Sequence, residues 1–205
     1  LRLVEGRGQL VPVDADTRYQ LNSRLIETHW QPNTVGVMAA SPANPTGTVL
    51  SMDELSDLSR AVKARRGYLV VDEIYHGLGF DAATPSVLSV DPDAFVINSF
   101  SKYFGMTGWR LGWLVAPEDA VAEMEKLAQN LFISMSTMAQ YAALAGFEPA
   151  TRAILDERRD TFRQRRDYLL PALQELGFEV PCAPQGAFYI YADASRFTSD
   201  SQAFC

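Results

Sequence analysis

Residues 94–116 read AFVINSFSKYFGMTGWRLGWLVA and carry the strongest signal for the fold of this 205-residue chain. Two apolar runs, 94–98 and 111–116, enclose a polar loop that contains one lysine and two glycines. Apolar runs bounded by turn residues are typical of strands buried on both faces. Two further runs of this kind come earlier, TVGVMAA at 34–40 and YLVV at 68–71. The sequence therefore predicts four buried strands.

Helical segments alternate with these strands. Ser51, with Glu54 three residues later, has the pattern of a capping box, which predicts that a helix begins there. Helices are predicted at 21–30, from 51 to a stop at Gly67, at 118–147 with a break near 134–136, and at about 150–176. Helices that alternate with apolar strands indicate an α/β layer with a largely parallel sheet.

The pattern changes near residue 150, where a long charged helix leads to short strands separated by Pro and Gly. We predict these short strands at 178–180 and 187–191, and one more near the start of the chain at 9–13. The expected organisation is a large domain over 1–150, followed by a linking helix and the start of a smaller α+β domain over 151–205.

Composition excludes several classes of protein. Hydrophobic residues make up 47% and charged residues 21%, the balance of a globular protein rather than of a disordered one. A net charge of -7 disfavours a nucleic-acid partner, and no apolar run approaches the length of a membrane span. The only two cysteines, Cys182 and Cys205, have no metal spacing, so we expect a reducing cytoplasm and no metal site.

Polar side chains follow the predicted strands at the points where each strand ends. Asn44 follows the first run, Asp72 and Tyr75 follow the second, and residues 99–102 follow the third, with Arg110 eight residues beyond Lys102. Ligands of open α/β sheets bind beyond the carboxyl ends of the strands. We therefore expect a carboxylate, a phenol, an amide and an amine to converge at one edge of the sheet.

Several of these stretches resemble motifs of one enzyme family. Residues 99–112, SFSKYFGMTGWRLG, look like the pyridoxal-phosphate attachment signature of class I/II, fold type I, aminotransferases. NPTG at 44–47, DEIY at 72–75 and PQGAFY at 184–189 resemble further motifs of that family in the same order. The resemblance covers the whole chain. It implies a three-layer α/β/α large domain with a mostly parallel sheet, and pyridoxal 5'-phosphate as cofactor.

The resemblance also implies roles for two catalytic groups. Lys102 matches the lysine that holds the cofactor aldehyde as a Schiff base and then moves a proton at the substrate. Asp72 matches the carboxylate that keeps the cofactor ring nitrogen protonated. The alternative interpretations are a surface lysine for Lys102 and a helix or turn cap for Asp72.

The remaining matching positions surround the cofactor. Tyr75 and Asn44 match the groups that hydrogen-bond the 3′-oxygen, and the Asn44–Pro45 bond resembles a cis peptide of the family. Arg110 and Ser99, with Ser101 assisting, match donors to the phosphate. The alternative, purely structural interpretations are packing for the tyrosine, a surface charge for the arginine, and turn positions for Asn44, Ser99 and Ser101.

The implied activity is transfer of an amino group between an amino acid and a 2-oxo acid by a ping-pong route, in a homodimer. A carbon–sulfur β-lyase of the same fold would share every cofactor residue named above. A non-catalytic effector domain of a transcription regulator would share them as well. These two alternatives stay open.

The resemblance further implies that this stretch lacks both ends of a family member. The chain opens at Leu1 without Met and stops abruptly at Cys205. The family's cofactor-stacking ring lies upstream, and its arginine for the substrate carboxylate lies downstream. We therefore expect a piece of a longer protein that is inactive by itself.

Overall fold

The computed structural model describes residues 5–81 and 84–205, so Leu1–Val4 lie outside the described residues. Its centre is a four-stranded sheet in the order β1-β2-β3-β4. The strands are β1 Gly36–Ala40, β2 Tyr68–Asp72, β3 Phe95–Ser99 and β4 Gly112–Val115. The first three are parallel, and β4 returns antiparallel to β3. The predicted α/β class and mostly parallel sheet are confirmed.

Helices occupy the segments between and after the strands. The α-helices are α1 Ser23–His29, α2 Met52–Ala64, α3 Glu118–Leu131, α4 Thr137–Leu144, α5 Pro149–Glu175 and α6 Ser201–Phe204. The capping box at the start of α2 is present, because the Ser51 side chain accepts from the Glu54 amide and the Glu54 side chain accepts from the Ser51 amide. The predicted break near 134–136 is also confirmed, since it falls between α3 and α4.

Helices α1 and α2 cover one face of the sheet. Leu55, Leu58 and Val62 of α2 pack in one buried cluster with Val71 of β2 and Val96 of β3. Burying each such side chain contributes about 1.5–3 kcal/mol to folding. Side chains alternate between the two faces of a strand. The residues next along these strands therefore point to the opposite face.

The register of the strands aligns their carboxyl ends. Ala40 of β1 pairs with Asp72 of β2, and Asp72 pairs with Ile97 of β3. Ser99, two residues beyond Ile97, pairs with Gly112 at the start of β4. Asp72 and Ser99 thus lie at one edge of the sheet, on the face opposite α1 and α2.

The predicted short strands are wrong. Residues 9–13 extend without a strand partner, and the side chain of Leu10 is 95% exposed. Residues 178–180 and 187–191 form no strand; among the described residues, 178–180 has one isolated bridge, from Glu179 to Asp193, and 187–191 has none, the nearest being the bridge from Gly186 to Gly79. Ala187 adopts a φ of 62°, which interrupts an extended strand. The division at residue 150 stays a prediction; α5 runs across it without interruption.

Candidate active site

The predicted site residues lie in the loops at the carboxyl edge of the sheet. Their positions are Asn44 in the turn after β1, Asp72 at the end of β2, Tyr75 in the turn after β2, Ser99 at the end of β3, and Ser101, Lys102 and Arg110 in the loop between β3 and β4. That loop is closed at its base, because the Phe100 amide donates to the Leu111 carbonyl at 3.1 Å. Strand register and loop closure together bring the motifs to one region.

Three of the predicted residues meet in a cluster with two aromatic side chains from residues 184–189. The Lys102 Nζ lies 5.5 Å from the centre of the Tyr75 ring and 5.6 Å from that of Phe188. The Tyr75 hydroxyl lies 2.9 Å from the Tyr189 hydroxyl. The Asn44 Nδ2 is 3.4 Å from each of the two hydroxyl oxygens. An amine, an amide and two phenols therefore face one small volume.

Backbone hydrogen bonds hold the segment 184–189 against the two turns. The amides of Gln185 and Gly186 both donate to the Gly47 carbonyl, at 2.8 and 3.0 Å. The Ala187 amide donates to the Leu78 carbonyl at 3.0 Å. Gly47 has a φ of 67°, and a Cβ there would lie 2.5 Å from the Pro184 Cβ. The close approach of these two segments thus requires glycine at position 47.

Asp72 is partly exposed, and one of its oxygens is already used. Its Oδ1 accepts from the Ile74 amide at 3.0 Å, which is an Asx-type turn. The other carboxylate oxygen accepts no hydrogen bond from the described residues. The turn-cap interpretation therefore holds for one oxygen, and the second has no donor among the described residues.

The predicted phosphate ligands are less closely grouped. The Ser99 hydroxyl donates to the Leu111 carbonyl at 3.2 Å and accepts from the Ser101 amide at 3.0 Å. Arg110 is exposed, has a φ of 54°, and donates from Nη1 to the Thr107 carbonyl at 3.0 Å. It borders an open depression of about 720 Å³ between the β3–β4 loop and residues 134–139. Within the described part of the chain, no hydrogen bond joins Arg110 to Lys102.

Glu73 and His76 flank the cluster but are internal to the protein. Glu73 is buried, accepts from the Val87 amide at 2.8 Å, and has a pKa raised by its burial. The His76 Nδ1 lies 3.3 Å from the Glu73 Oε2, and burial lowers the pKa of His76 to about 4. The contact is therefore a hydrogen bond from a neutral ring rather than an ion pair, because burial disfavours the charged imidazolium.

Sequence reasoning missed Phe188 and Tyr189 as members of the site. Both lie in the stretch PQGAFY, which predicts a strand entry and gives no sign of contact with Tyr75. The available signal was the presence of a second phenol in a motif that accompanies the lysine motif. Tyr75 packs edge-on against both rings, with centroid distances of 5.4 and 5.9 Å.

The described residues hold neither a metal cluster nor a helix suited to a membrane. Over 5–81 and 84–205, no group of three or more His, Cys, Asp or Glu side chains is arranged to hold a metal ion. None of the helices in these ranges combines the length and the apolar character that crossing a bilayer requires.

Comparison with known proteins identifies the family. The sequence profile described as aminotransferase class I and II matches residues 3–204. The chain belongs to this family. The chain is similar to valine–pyruvate aminotransferase of Mycobacterium tuberculosis, with 40% sequence identity. The alignment covers 95% of this chain and 50% of the Mycobacterium tuberculosis protein.

Solved structures give the same result. The crystal structure of an aminotransferase from Mycobacterium tuberculosis is 40% identical with a TM-score of 0.90, over 95% of this chain and 51% of that one. Aspartate aminotransferase from Thermus thermophilus with maleate is 32% identical with a TM-score of 0.87, over 93% and 50%. The chain therefore spans about half the length of the aminotransferases that it matches.

Proposed function

We propose that the complete protein transfers an amino group between an amino acid and a 2-oxo acid, with pyridoxal 5'-phosphate carried on Lys102. The observation that carries this proposal is the position of the Lys102 amine, 5.5 Å from the Tyr75 ring centre, in a chain of the aminotransferase family. Most lysines extend into water, whereas this one is half-buried between two aromatic rings.

The side chains present fit the chemistry of this cofactor. An amine is needed for its aldehyde, a carboxylate for its ring nitrogen, hydrogen-bond donors for its 3′-oxygen, and cationic or hydroxyl donors for its phosphate. The chain offers these groups in Lys102, Asp72, the pair Tyr75 and Asn44, and Arg110 with Ser99 and Ser101. When bound, the cofactor supplies an electron sink for charge at the substrate α-carbon.

Each residue then has a defined task. Lys102 holds the cofactor and, once released, carries a proton to and from the substrate α-carbon. The carboxylate of Asp72, fixed through Oδ1 by the Ile74 amide, keeps a proton on the ring nitrogen by charge attraction. Arg110 retains guanidinium donors for a bidentate contact with a phosphate, since its described hydrogen bond uses Nη1 only.

The test compares Lys102→Ala with Lys126→Ala in the complete protein. Lys126 is exposed on α3, which makes it a matched control. We expect Lys102→Ala to lose the visible absorbance band of the lysine-bound cofactor and at least about 1000-fold in amino transfer, since a covalent step is removed. Lys126→Ala should match the wild type. A visible band that survives unchanged in Lys102→Ala would overturn the assignment.

Turnover separates the alternatives. An amino-donor screen begins with valine, aspartate and N-acetyl-LL-diaminopimelate, the amino compounds named in relatives at 35–40% identity. Formation of pyruvate and ammonia from cystathionine without an amino acceptor would favour the β-lyase instead. Binding of the cofactor without either turnover would favour the effector domain.

We further propose that the complete protein is a homodimer that acts in cytoplasmic amino acid metabolism. Exposed apolar side chains around α3 and α4 support a dimer contact, among them Ile133, Met138 and Tyr141 at 82%, 73% and 70% exposure. The free cysteines Cys182 and Cys205 support a reducing compartment. Sedimentation equilibrium of the complete protein tests the dimer, and a monomer would contradict it.

A further inference from the structure

Two phenols and one amide form a closed triangle beside Lys102. The distance between the Tyr75 and Tyr189 hydroxyl oxygens is 2.9 Å, and the Asn44 Nδ2 is 3.4 Å from each oxygen. Tyr75 is 4% exposed, and Tyr189 is half-buried. The short side of this triangle is therefore a partly buried hydrogen bond of ordinary length, and the amide contacts are longer.

The hydrogen bonds of the triangle leave one hydroxyl proton free to point outward. The amide of Asn44 only donates at Nδ2, so each phenol oxygen can accept from it. Each phenol has one proton, and one of the two protons is used in the bond between Tyr75 and Tyr189. The second proton therefore points out of the triangle. It belongs to the phenol whose oxygen accepts the hydrogen bond from the other phenol.

The 2.9 Å contact allows either phenol to donate, and the use made of the Tyr75 proton decides between them. The hydrogen bond with Tyr75, followed by burial, raises the pKa of Tyr189, while the Lys102 ammonium opposes this. Tyr189 keeps its proton, and when the single Tyr75 proton is donated to a cofactor oxygen, the Tyr189 proton is the one left for the bond between the two phenols.

The backbone fixes Tyr189 in this place. The amides of Gln185 and Gly186 donate to the Gly47 carbonyl, three residues after Asn44, so the two segments are held together. The Tyr189 ring also packs edge-on against the Tyr75 ring, with centroids 5.9 Å apart. Side chains locked by packing and by backbone contacts hold a functional group at a defined position.

We propose that Tyr189 is a positioning residue, whose hydroxyl donates to the Tyr75 oxygen and so directs the Tyr75 proton outward to the 3′-oxygen of the bound cofactor. The proposal rests on the proposed function. Donation to the Tyr75 oxygen also makes Tyr75 a stronger donor, because hydrogen bonds in a chain polarise one another. Tyr189 therefore tunes the site through Tyr75 and not by direct contact.

The test is the pH titration of the visible band of the lysine-bound cofactor in the complete protein. A donor to the 3′-oxygen favours the deprotonated, more negative state, so weakening that donor raises the midpoint of the titration. We expect Tyr189→Phe to raise the midpoint by roughly 0.3 to 1 pH unit, the equivalent of a weakened hydrogen bond. Tyr75→Phe should raise it further.

The double variant identifies the route of the effect. In the Tyr75→Phe background there is no proton to direct, so adding Tyr189→Phe should move the midpoint by less than about 0.2 pH unit, as expected for two residues in one network. Tyr191→Phe is the matched control, because this exposed tyrosine packs on Tyr19 and not on Tyr75. The midpoint of the visible band in Tyr191→Phe should equal that of the wild type. Equal shifts in both backgrounds would overturn the proposal.

A second variant guards against loss of folding in Tyr189→Phe. Replacing Tyr189 with 3-fluorotyrosine keeps the hydroxyl and makes it a stronger donor, so the midpoint should fall below that of the wild type. A midpoint that rises or stays unchanged overturns the proposal. If the wild type shows no band that depends on Lys102, the proposed function itself fails, and this outcome differs from an unchanged midpoint in Tyr189→Phe.

Discussion

His76 should remain neutral in the folded protein down to about pH 4, and its neutrality should contribute to stability. Its side chain is 17% exposed, and its Nε2 makes no hydrogen bond with the described residues. Burial lowers the pKa of His76 from 6.5 to about 4, against a smaller opposing effect of the Ser41 backbone. Charging the ring would place a cation in this poorly solvated position.

The magnitude follows from the two pKa values of His76. The difference between 6.5 and about 4 is roughly 2.5 units, or about 3 kcal/mol at 1.36 kcal/mol per unit. The unfolded chain takes up this proton below pH 6.5, whereas the folded chain does so only below about pH 4. The contribution is therefore complete above pH 6.5 and is lost progressively as the pH falls toward 4.

The assay is urea unfolding of the complete protein at pH 7.5 and pH 5, with His76→Gln beside the wild type. We expect the wild type to lose about 2 kcal/mol more than His76→Gln between these two pH values. Glu73, whose pKa is raised by burial, acts in the opposite direction and is present in both proteins; because it contacts the His76 ring, the histidine is also followed directly. His29→Gln is the control, because it carries the same substitution at the other histidine. Its loss of unfolding free energy between pH 7.5 and pH 5 should equal that of the wild type.

A direct measurement can refute this reasoning. With ¹³C-labelled histidine, the resonance that disappears in His76→Gln should not titrate between pH 8 and pH 5. A midpoint near 6.5, or parallel losses of stability in the wild type and His76→Gln, would show that the ring is hydrated or already charged.

Two further substitutions test how the scaffold supports the site. Asp91 is 1% exposed, and one of its oxygens lies 2.6 Å from the Lys63 Nζ. We expect Asp91→Asn to lower the free energy of unfolding by about 2 kcal/mol, and the control Asp93→Asn, at an exposed carboxylate near the same lysine, to change it by less than about 0.5 kcal/mol. Urea unfolding measures both, and equal effects would contradict the burial argument. Gly47→Ala should lower the free energy of unfolding by about 2–4 kcal/mol and weaken cofactor retention, because a Cβ at a φ of 67° would lie 2.7 Å from a backbone oxygen. Gly108→Ala is the control, because a Cβ at that position would have no neighbour within 4 Å. Equal stability and cofactor retention in the two alanine variants would contradict it.

The sequence predicts the sheet and much of the site because both depend on local patterns. The runs that form β1, β2 and β3 are bounded by turn residues, and parallel strands bring their carboxyl ends to one edge. This rule is sufficient to predict that Asn44, Tyr75 and Lys102 lie close together. The capping box of α2 was equally predictable, since it depends on two residues three apart.

The remaining features depend on contacts between distant parts of the chain. An apolar run does not reveal the direction of its strand, so the antiparallel pairing of β4 required the structure. Residues 187–191 have the composition of a strand, but the Ala187 amide donates to the loop carbonyl of Leu78, and the preceding amides of Gln185 and Gly186 donate to that of Gly47. The place of Tyr189 beside Tyr75 follows from those bonds and has no local signature.

The hydrogen bond between Asn44 and Tyr189 joins residues 145 positions apart, which has a consequence for the order of folding. The β3–β4 hairpin closes over 12 residues, from Ser99 to Leu111. The entropy of closing a loop rises with its length, and contacts between distant residues form late. The loop that carries Lys102 is therefore expected to fold early, whereas the amide–phenol triangle is completed only after Tyr189 has left the ribosome.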